Sequence, residues 1–329
     1  MAVGMKSPSV LVTGASGFVG LRLCQRLADE GCSVRYAVRS SEHLAALPFP
    51  GMERCIIEDI GPATDWSKAL YEIDTIVHLA ARVHQMKDQT ANPLAEFRHV
   101  NVAGTKRLAL IAAKAGVKRI VFTSSVKVHG EEREILYRES DLLMPQDNYG
   151  ISKMEAERVL RQIEAETGLE VAIVRPPLVY GPGVKANFLS MMKVIASGFP
   201  LPLASVANKR SMIYVGNLID ALSLCVRHPA AAGRTYLVSD GDDVSTPELI
   251  RRVSAALNRP ARLYPFPTDI LRLVGPFLGK SLAIERLTGT LQVDITNIQA
   301  ELGWQPPFTM QEGLSATAEW FLCPSGTTP

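Results

Sequence analysis

Apolar residues in the first half of the chain fall into short blocks separated by longer stretches in which they recur every three or four positions. The blocks SVLVT (9–13), SVRYAV (33–38), ERCIIED (53–59), IDTIVHLA (73–80), KRIVFTSS (118–125) and LEVAIVRP (169–176) have the length and β-branched content of strands. Between them GLRLCQRLADEG (20–31), PLAEFRHVNVAGTKRLALIAAKAG (93–116) and residues 149–167 carry the helical period. Strands with continuous apolar centres are buried on both faces. Their alternation with helices predicts an α/β fold on a parallel, doubly wound sheet.

The pattern loosens after Arg175. Pro176, Pro177, Gly181, Pro182, Gly183, Pro200 and Pro202 interrupt regular structure, and shorter elements resume in SMIYVGNLIDALSLCV (211–226), TYLVSD (235–240) and TPELIRRVSAALN (246–258). We therefore expect residues 1–175 to form one domain and residues 176–329 mainly a smaller lobe over the strand ends, with some segments returning to the core. The apolar stretch from Asp269 to Leu287 is broken by Arg272, Pro276 and Lys280, which suits core packing or a lid better than membrane contact.

Composition narrows the classes. With 47% hydrophobic residues in 329, the chain can bury a large core. The 35 Lys and Arg against 33 Asp and Glu leave a formal charge of +2, too balanced for nucleic-acid binding by bulk electrostatics. Cys24, Cys32, Cys55, Cys225 and Cys323 are odd in number and scattered, which argues against a disulfide framework or a zinc site and for a reducing compartment. The sequence has no apolar run of the length that a signal peptide or a membrane span needs, so a cytoplasmic protein with no membrane partner and no metal is the expectation.

Candidate chemistry begins at VLVTGASGFVG, where Gly14, Gly17 and Gly20 follow the first strand and open the first helix. There a Cβ would obstruct the tight turn, the approach of a pyrophosphate and the packing of helix on strand, while the helix N-terminus offers free N–H donors to an anion. With TGASGFVG as it stands, the sequence resembles the extended branch of the short-chain dehydrogenase/reductase superfamily, the nucleotide-sugar epimerases, dehydratases and reductases on a Rossmann-like sheet with a substrate-binding lobe. Further motifs match. IIEDI with Asp59 and Ile60 resembles the adenine-contacting strand end, HLAA with Leu79, Ala80 and Ala81 the cofactor-lining turn, and NVAGT with Asn101 the motif on the long helix. The resemblance implies a nicotinamide dinucleotide held by Gly14, Ser16, Gly17, Phe18, Val19 and Gly20, by these further residues, and by Pro176 near the nicotinamide.

It also implies a reacting pair. Ser125 in SSVKVHG and Tyr149 with Lys153 in NYGISK match the family's serine and its Tyr-x-x-x-Lys, Ser124 being the alternative serine. Tyr and Lys at i and i+4 share a helix face, so an ammonium beside the phenol should lower a pKa that is otherwise about 10 and let Tyr149 exchange a proton. Ser125 would hydrogen-bond the substrate oxygen, and Lys153 would also hold the cofactor ribose. Two departures carry information. Family members that dehydrate sugars have Thr-Asp-Glu where this chain has Ser125, Val126 and Lys127, which disfavours 4,6-dehydration, and the family tyrosine before the glycine is His129, read here as a polar loop residue.

Val38 stands where a carboxylate would accept the hydroxyls of an NAD ribose, and Arg39 follows it. We therefore expect NADP(H) to be preferred, with Arg39 on the 2′-phosphate, and NAD as the alternative. In RPPLVYGPGVKANF and NKRSMIYVGNLIDAL the resemblance implies that Asn187 and Phe188 open a helix over the nucleotide diphosphate and that Arg210 binds it, with Arg286 as a second cation. The helices bearing Asn101 and Tyr149 resemble those that pair in a homodimer. Chemistry at C4 of a UDP-linked sugar follows, first as an NADPH-dependent 4-keto reductase for surface-polysaccharide precursors, alternatively as a UDP-sugar 4-epimerase with retained NAD. A cofactor-sensing protein without activity is a weaker third reading.

Overall fold

The computed structural model describes residues 7–39, 51–83, 92–274 and 281–323. Strands β1 (Ser9–Thr13), β2 (Ser33–Val38), β3 (Glu53–Ile56), β4 (Thr75–His78), β5 (Arg119–Thr123), β6 (Glu170–Arg175) and β9 (Thr235–Leu237) form one parallel sheet in the order β3-β2-β1-β4-β5-β6-β9. Chain direction reverses its course across the sheet between β1 and β4, so the carboxyl ends of those strands flank the crevice in which such sheets bind ligands. β7 (Leu178–Tyr180) and β8 (Met212–Tyr214) pair in a separate two-stranded sheet.

Helices α1 (Gly20–Asp29), α2 (Pro93–Phe97), α3 (Thr105–Lys114) and α4 (Asn148–Thr167) belong to the first half of the chain. The second half adds α5 (Ala186–Ala196), α6 (Val215–Arg227), α7 (Thr246–Ala256), α8 (Thr268–Val274), α9 (Ser281–Thr288), α10 (Thr296–Leu302) and α11 (Met310–Leu322). One apolar cluster fills the face where α1 and α6 cover the sheet, from Val10 and Leu23 to Leu218 and Leu222. A second, with Trp66, Leu108, Leu160 and Phe122, fills the face covered by α3 and α4. A third, with Tyr180, Phe188, Leu249 and Leu314, is the core of the C-terminal elements. Thus α6 and β9, both from beyond residue 175, build onto the main sheet.

The single helix expected over 93–116 is interrupted. Between α2 and α3, Arg98–Gly104 form a π-helical stretch, and Gly104 sits where a Cβ would lie 2.7 Å from Ile60 Cγ2. The widened turn places Asn101 against Arg82 and Ser152, a use of π-helix common at functional sites. The expected strand KRIVFTSS ends at Thr123, because Pro176 has no N–H to continue the ladder and Ser125 caps a 3-10 turn, Val126–Val128. Among the described residues no helix is long and apolar enough to cross a membrane, and no group of three or more His, Cys, Asp or Glu could hold a metal. Residues 275–280 of the expected lid or packing segment lie outside the described residues.

Candidate active site

The glycine loop closes on itself through Gly17 N–H donating to the Gly14 carbonyl at 2.9 Å. Gly14 has φ +71°, and a Cβ there would meet the Ala80 backbone N at 2.8 Å, while one on Gly20 would meet the Gly14 carbonyl oxygen at 2.2 Å. Neither position has room for a side chain. Val19 precedes α1 without a capping side chain; the Leu21 N–H turns back to the Gly17 carbonyl at 3.2 Å, and the helix N-terminus lies beside exposed Ser16 and Gly17 and half-buried Phe18. This is the cradle that a pyrophosphate fits.

Behind it lies a buried polar chain. The Ala80 N–H donates to Thr13 Oγ1 (3.3 Å), Thr13 Oγ1 bonds His78 Nδ1 (2.7 Å), and His78 Nε2 bonds Thr105 Oγ1 (3.0 Å). Burial, with Lys153 nearby, takes His78 down to about 3, so it is neutral at physiological pH. His78 thus ties the glycine-loop strand, the turn at Leu79, Ala80 and Ala81, and the amino end of α3. It was not among the residues the motifs brought forward; the signal was a histidine at the end of the otherwise apolar block TIVHLA.

Asn101 performs a similar task from the other side. Its Nδ2 donates to the Arg82 carbonyl (3.0 Å) and to Ser152 Oγ (2.9 Å), its Oδ1 accepts from the Arg82 N–H (2.7 Å), and Ser152 Oγ donates to the Tyr149 carbonyl (2.8 Å). Arg82, just past the turn at Leu79 to Ala81, and the tyrosine helix are thereby held by one buried amide.

Tyr149 lies in the first turn of α4, which Asp147 caps by accepting from the Gly150 N–H at 2.7 Å. Its ring meets Phe97 edge-on at 6.4 Å. Lys153, one turn on, is buried with its Nζ 4.1 Å from the centre of the Phe122 ring. Burial pushes the Tyr149 phenol up, with Asp147 adding to it, and takes Lys153 down to about 7, against the pull of Glu157. The expected lowering of the phenol by its i+4 neighbour is therefore not found, because burial and Asp147 outweigh it. Tyr149 is half-buried and Lys153 buried, and a lysine near 7 is only partly charged at neutral pH.

Ser125 heads the 3-10 turn, its Oγ accepting from the Lys127 N–H at 3.2 Å. Ser124 is buried, and its Oγ has no partner, as is also true of Thr123 Oγ1. Two orphaned hydroxyls at the carboxyl end of β5, beside buried Pro176, mark polar space of the kind a bound cofactor would fill. Lys127 is half-buried and paired: it donates to Asp147 and to Glu131 (2.7 Å). His129, read from the sequence as a loop residue, is buried; its Nε2 meets Arg175 Nη1 at 3.0 Å, and burial followed by the Arg175 charge takes it to about 4.

At the end of β2, Val38 is buried and Arg39 exposed, with Ala37 paired to Thr13 in register. Asp59 turns its carboxylate onto the Ile60 N–H at 2.8 Å, so what this strand end presents is backbone and the buried Ile60. In the C-terminal elements Asn187 is exposed at the start of α5, whereas Phe188 is spent on the core, stacked on Tyr180 at 5.4 Å. Arg210 donates to the Gly289 carbonyl (3.0 Å), and burial followed by the Glu131 and Arg286 charges sets its environment. Arg286 lines a cavity of about 240 Å³ with Glu131, Glu132, Gln146 and Glu285. Arg286 also acts on Asp147, so the structure brings Arg210 and Arg286 together on the side of the cleft facing the Ser125 turn and the start of α4.

Comparison with known proteins agrees with this geometry. Residues 10–239 match the model of the NAD dependent epimerase/dehydratase family. The chain is 44% identical over 317 residues to the UDP-glucose 4-epimerase of Vibrio cholerae, covering 95% of each. It is 30% identical, again over 95% of each, to the N-acetyl-alpha-D-glucosaminyl-diphospho-ditrans,octacis-undecaprenol 4-epimerase of Escherichia coli O157:H7. Among solved structures, MoeE5 in complex with UDP-glucose and NAD superposes with a TM-score of 0.75 at 26% identity, covering 95% of this chain and 98% of the other.

Proposed function

Because the chain belongs to the NAD dependent epimerase/dehydratase family, we propose that this enzyme of the extended short-chain dehydrogenase/reductase type is a UDP-sugar 4-epimerase. The observation that carries the reading is the 44% identity to a UDP-glucose 4-epimerase along nearly the whole of both chains. It favours the epimerase over the 4-keto reductase, the reverse of the order that Val38 and Arg39 suggested.

The cradle of Gly14, Ser16, Gly17, Phe18, Val19 and Gly20 would hold the pyrophosphate of NAD, with Asp59 and Ile60 at the adenine end, Leu79 to Ala81 along its length, and Lys153 and Pro176 toward the nicotinamide. When bound, the dinucleotide supplies a reversible acceptor for the hydride at C4. Tyr149 takes the proton of the C4 hydroxyl as that carbon is oxidised and returns it on reduction. Ser125 donates a hydrogen bond to the same oxygen as it gains carbonyl character. Arg210 and Arg286, with Asn187 at the start of α5, hold the diphosphate, and the sugar must turn over between the two hydride transfers. Val126 and Lys127 provide no carboxyl group for a dehydration.

One observation favours the reductase as a second reading: no carboxylate stands at Val38, and exposed Arg39 follows it, where a 2′-phosphate would be received. The two readings differ in what the purified protein retains, since an epimerase recovers its cofactor in every cycle. We expect denatured protein to release about one NAD per chain and the native protein to interconvert UDP-glucose and UDP-galactose, or their N-acetylated counterparts. Empty protein that consumes NADPH only with a 4-keto sugar nucleotide would overturn the epimerase in favour of the reductase. We further propose a cytoplasmic homodimer assembled through the helical stretch that carries Asn101 and through α4, which carries Tyr149, and expect light scattering at micromolar concentration to give twice the chain mass of 35.8 kDa. A monomer mass under those conditions would rule the dimer out.

A further inference from the structure

The turn that carries Ser125 and the helix that carries Tyr149 are in direct contact, and Lys127 reaches across from one to the other. The main-chain N–H of Lys127 donates to Ser125 Oγ at 3.2 Å, holding the hydroxyl at the head of the turn. The Lys127 carbonyl lies against the first turn of α4, where a Cβ on Gly150 would come within 2.7 Å of it. Its ammonium crosses to Asp147, the capping residue two positions before Tyr149, and is steadied by Glu131 at 2.7 Å. From these contacts we propose that Lys127 is a positioning residue, clamping Ser125 to the amino end of the Tyr149 helix and so setting the spacing between the two reacting hydroxyls.

The proposal rests on the reading of Ser125 and Tyr149 as the reacting pair. It assigns a task to the position where dehydratases of the family carry a glutamate. A charge is also at stake. The charged groups about Tyr149 are its capping residue Asp147, which acts on the phenol, Lys153 one turn on, and Arg82, which lies over the Phe97 ring that meets Tyr149 edge-on, while Lys127, paired with Glu131, and Arg286 from α9 act on Asp147. Asp147 disfavours the phenolate, and Lys127 is the cation bonded to Asp147. Without it the phenol becomes harder to ionise, so an activity that rises as Tyr149 ionises should rise at higher pH. The side chains of the pair are 25% and 34% exposed, so folding should depend on it little.

The test uses Lys127→Met, Lys127→Arg and the double variant Lys127→Met/Asp147→Asn, with Tyr149→Phe assayed beside them. Misplacing a reacting group by a fraction of an ångström to an ångström costs up to about 100-fold, and for Lys127→Met we expect kcat to fall ~10-fold with KM nearly unchanged. The ascending limb of the pH profile should move to higher pH. Lys127→Arg should recover much of the rate, and the double variant should lose less than the product of its two single losses. Independently of turnover, amide exchange at Val128, His129 and Gly150, which are bonded to the Ser125 carbonyl, the Val126 carbonyl and Asp147, should quicken in Lys127→Met at unchanged Tm. Unchanged exchange together with unchanged kcat and pH profile would overturn the clamp. A fully active Tyr149→Phe, or a wild type inert toward UDP-hexoses, would instead count against the functional reading, and the exchange measurement would still decide the clamp.

Discussion

Replacing Tyr149 by Phe is expected to lower kcat by roughly 10²–10⁴-fold, the range spanned by a lost general acid–base group, while NAD remains bound. The argument is local. Phe keeps the ring that meets Phe97 edge-on at 6.4 Å, and the contacts of α4 that hold the helix, Ser152 to the Tyr149 carbonyl and Asp147 to the Gly150 N–H, involve backbone rather than the phenol. The variant should therefore fold with wild-type stability and retain its nucleotide, losing the hydroxyl proposed to carry the C4 proton. Steady-state kinetics with UDP-glucose or its N-acetyl counterpart, alongside mass spectrometry of the released nucleotide, checks both halves. Wild-type turnover in this variant would remove Tyr149 from the chemistry. Loss of nucleotide without loss of fold would make it a cofactor-holding residue instead.

Much of this site could be read in the sequence because its parts are local. The glycines lie within seven positions, Tyr149 and Lys153 within one helical turn, and the blocks that became β1, β2 and β6 are apolar enough to be buried on both faces. What could not be read is long-range. The interruption of the helix at 98–104 brings Gly104 against Ile60, 44 residues earlier, where a Cβ would lie 2.7 Å from Ile60 Cγ2. The fate of His129 depends on Arg175, 46 residues away. Phe188 follows Asn187 as its motif expected, yet the side chain turns into the core against Tyr180. The motif gives the order of residues along the chain, whereas which of two neighbours faces the cleft is set by packing from residues far along it. The opposing pKa shifts of Tyr149 and Lys153 follow the same logic, since desolvation is a property of the assembled site.

The largest effect on stability should come from Glu157, which no motif marks. It sits on α4 two turns beyond Tyr149 and bonds Arg175 at the end of β6 in a two-pronged, buried pair, Oε1 to Nε at 3.0 Å and Oε2 to Nη2 at 2.6 Å. Arg175 then reaches His129 Nε2 (3.0 Å) and the Glu139 carbonyl (3.2 Å), so one guanidinium joins the tyrosine helix, the strand leading to Pro176 and the loop after Ser125. Glu157→Ala leaves that guanidinium buried without a counter-charge, and arginine does not shed its proton to escape. His129, held neutral near 4, adds no second positive charge but cannot balance the first. We expect a loss of about 3–5 kcal/mol in urea-induced unfolding, read from the midpoint at constant slope. The double variant Glu157→Leu/Arg175→Met, which removes both charges and keeps apolar volume, should recover most of it. A loss below about 1 kcal/mol for Glu157→Ala would place it among ordinary exposed pairs and show that water reaches Arg175. A double variant no more stable than the single one would show instead that the hydrogen bonds to His129 and the Glu139 carbonyl, rather than the uncompensated charge, account for the loss.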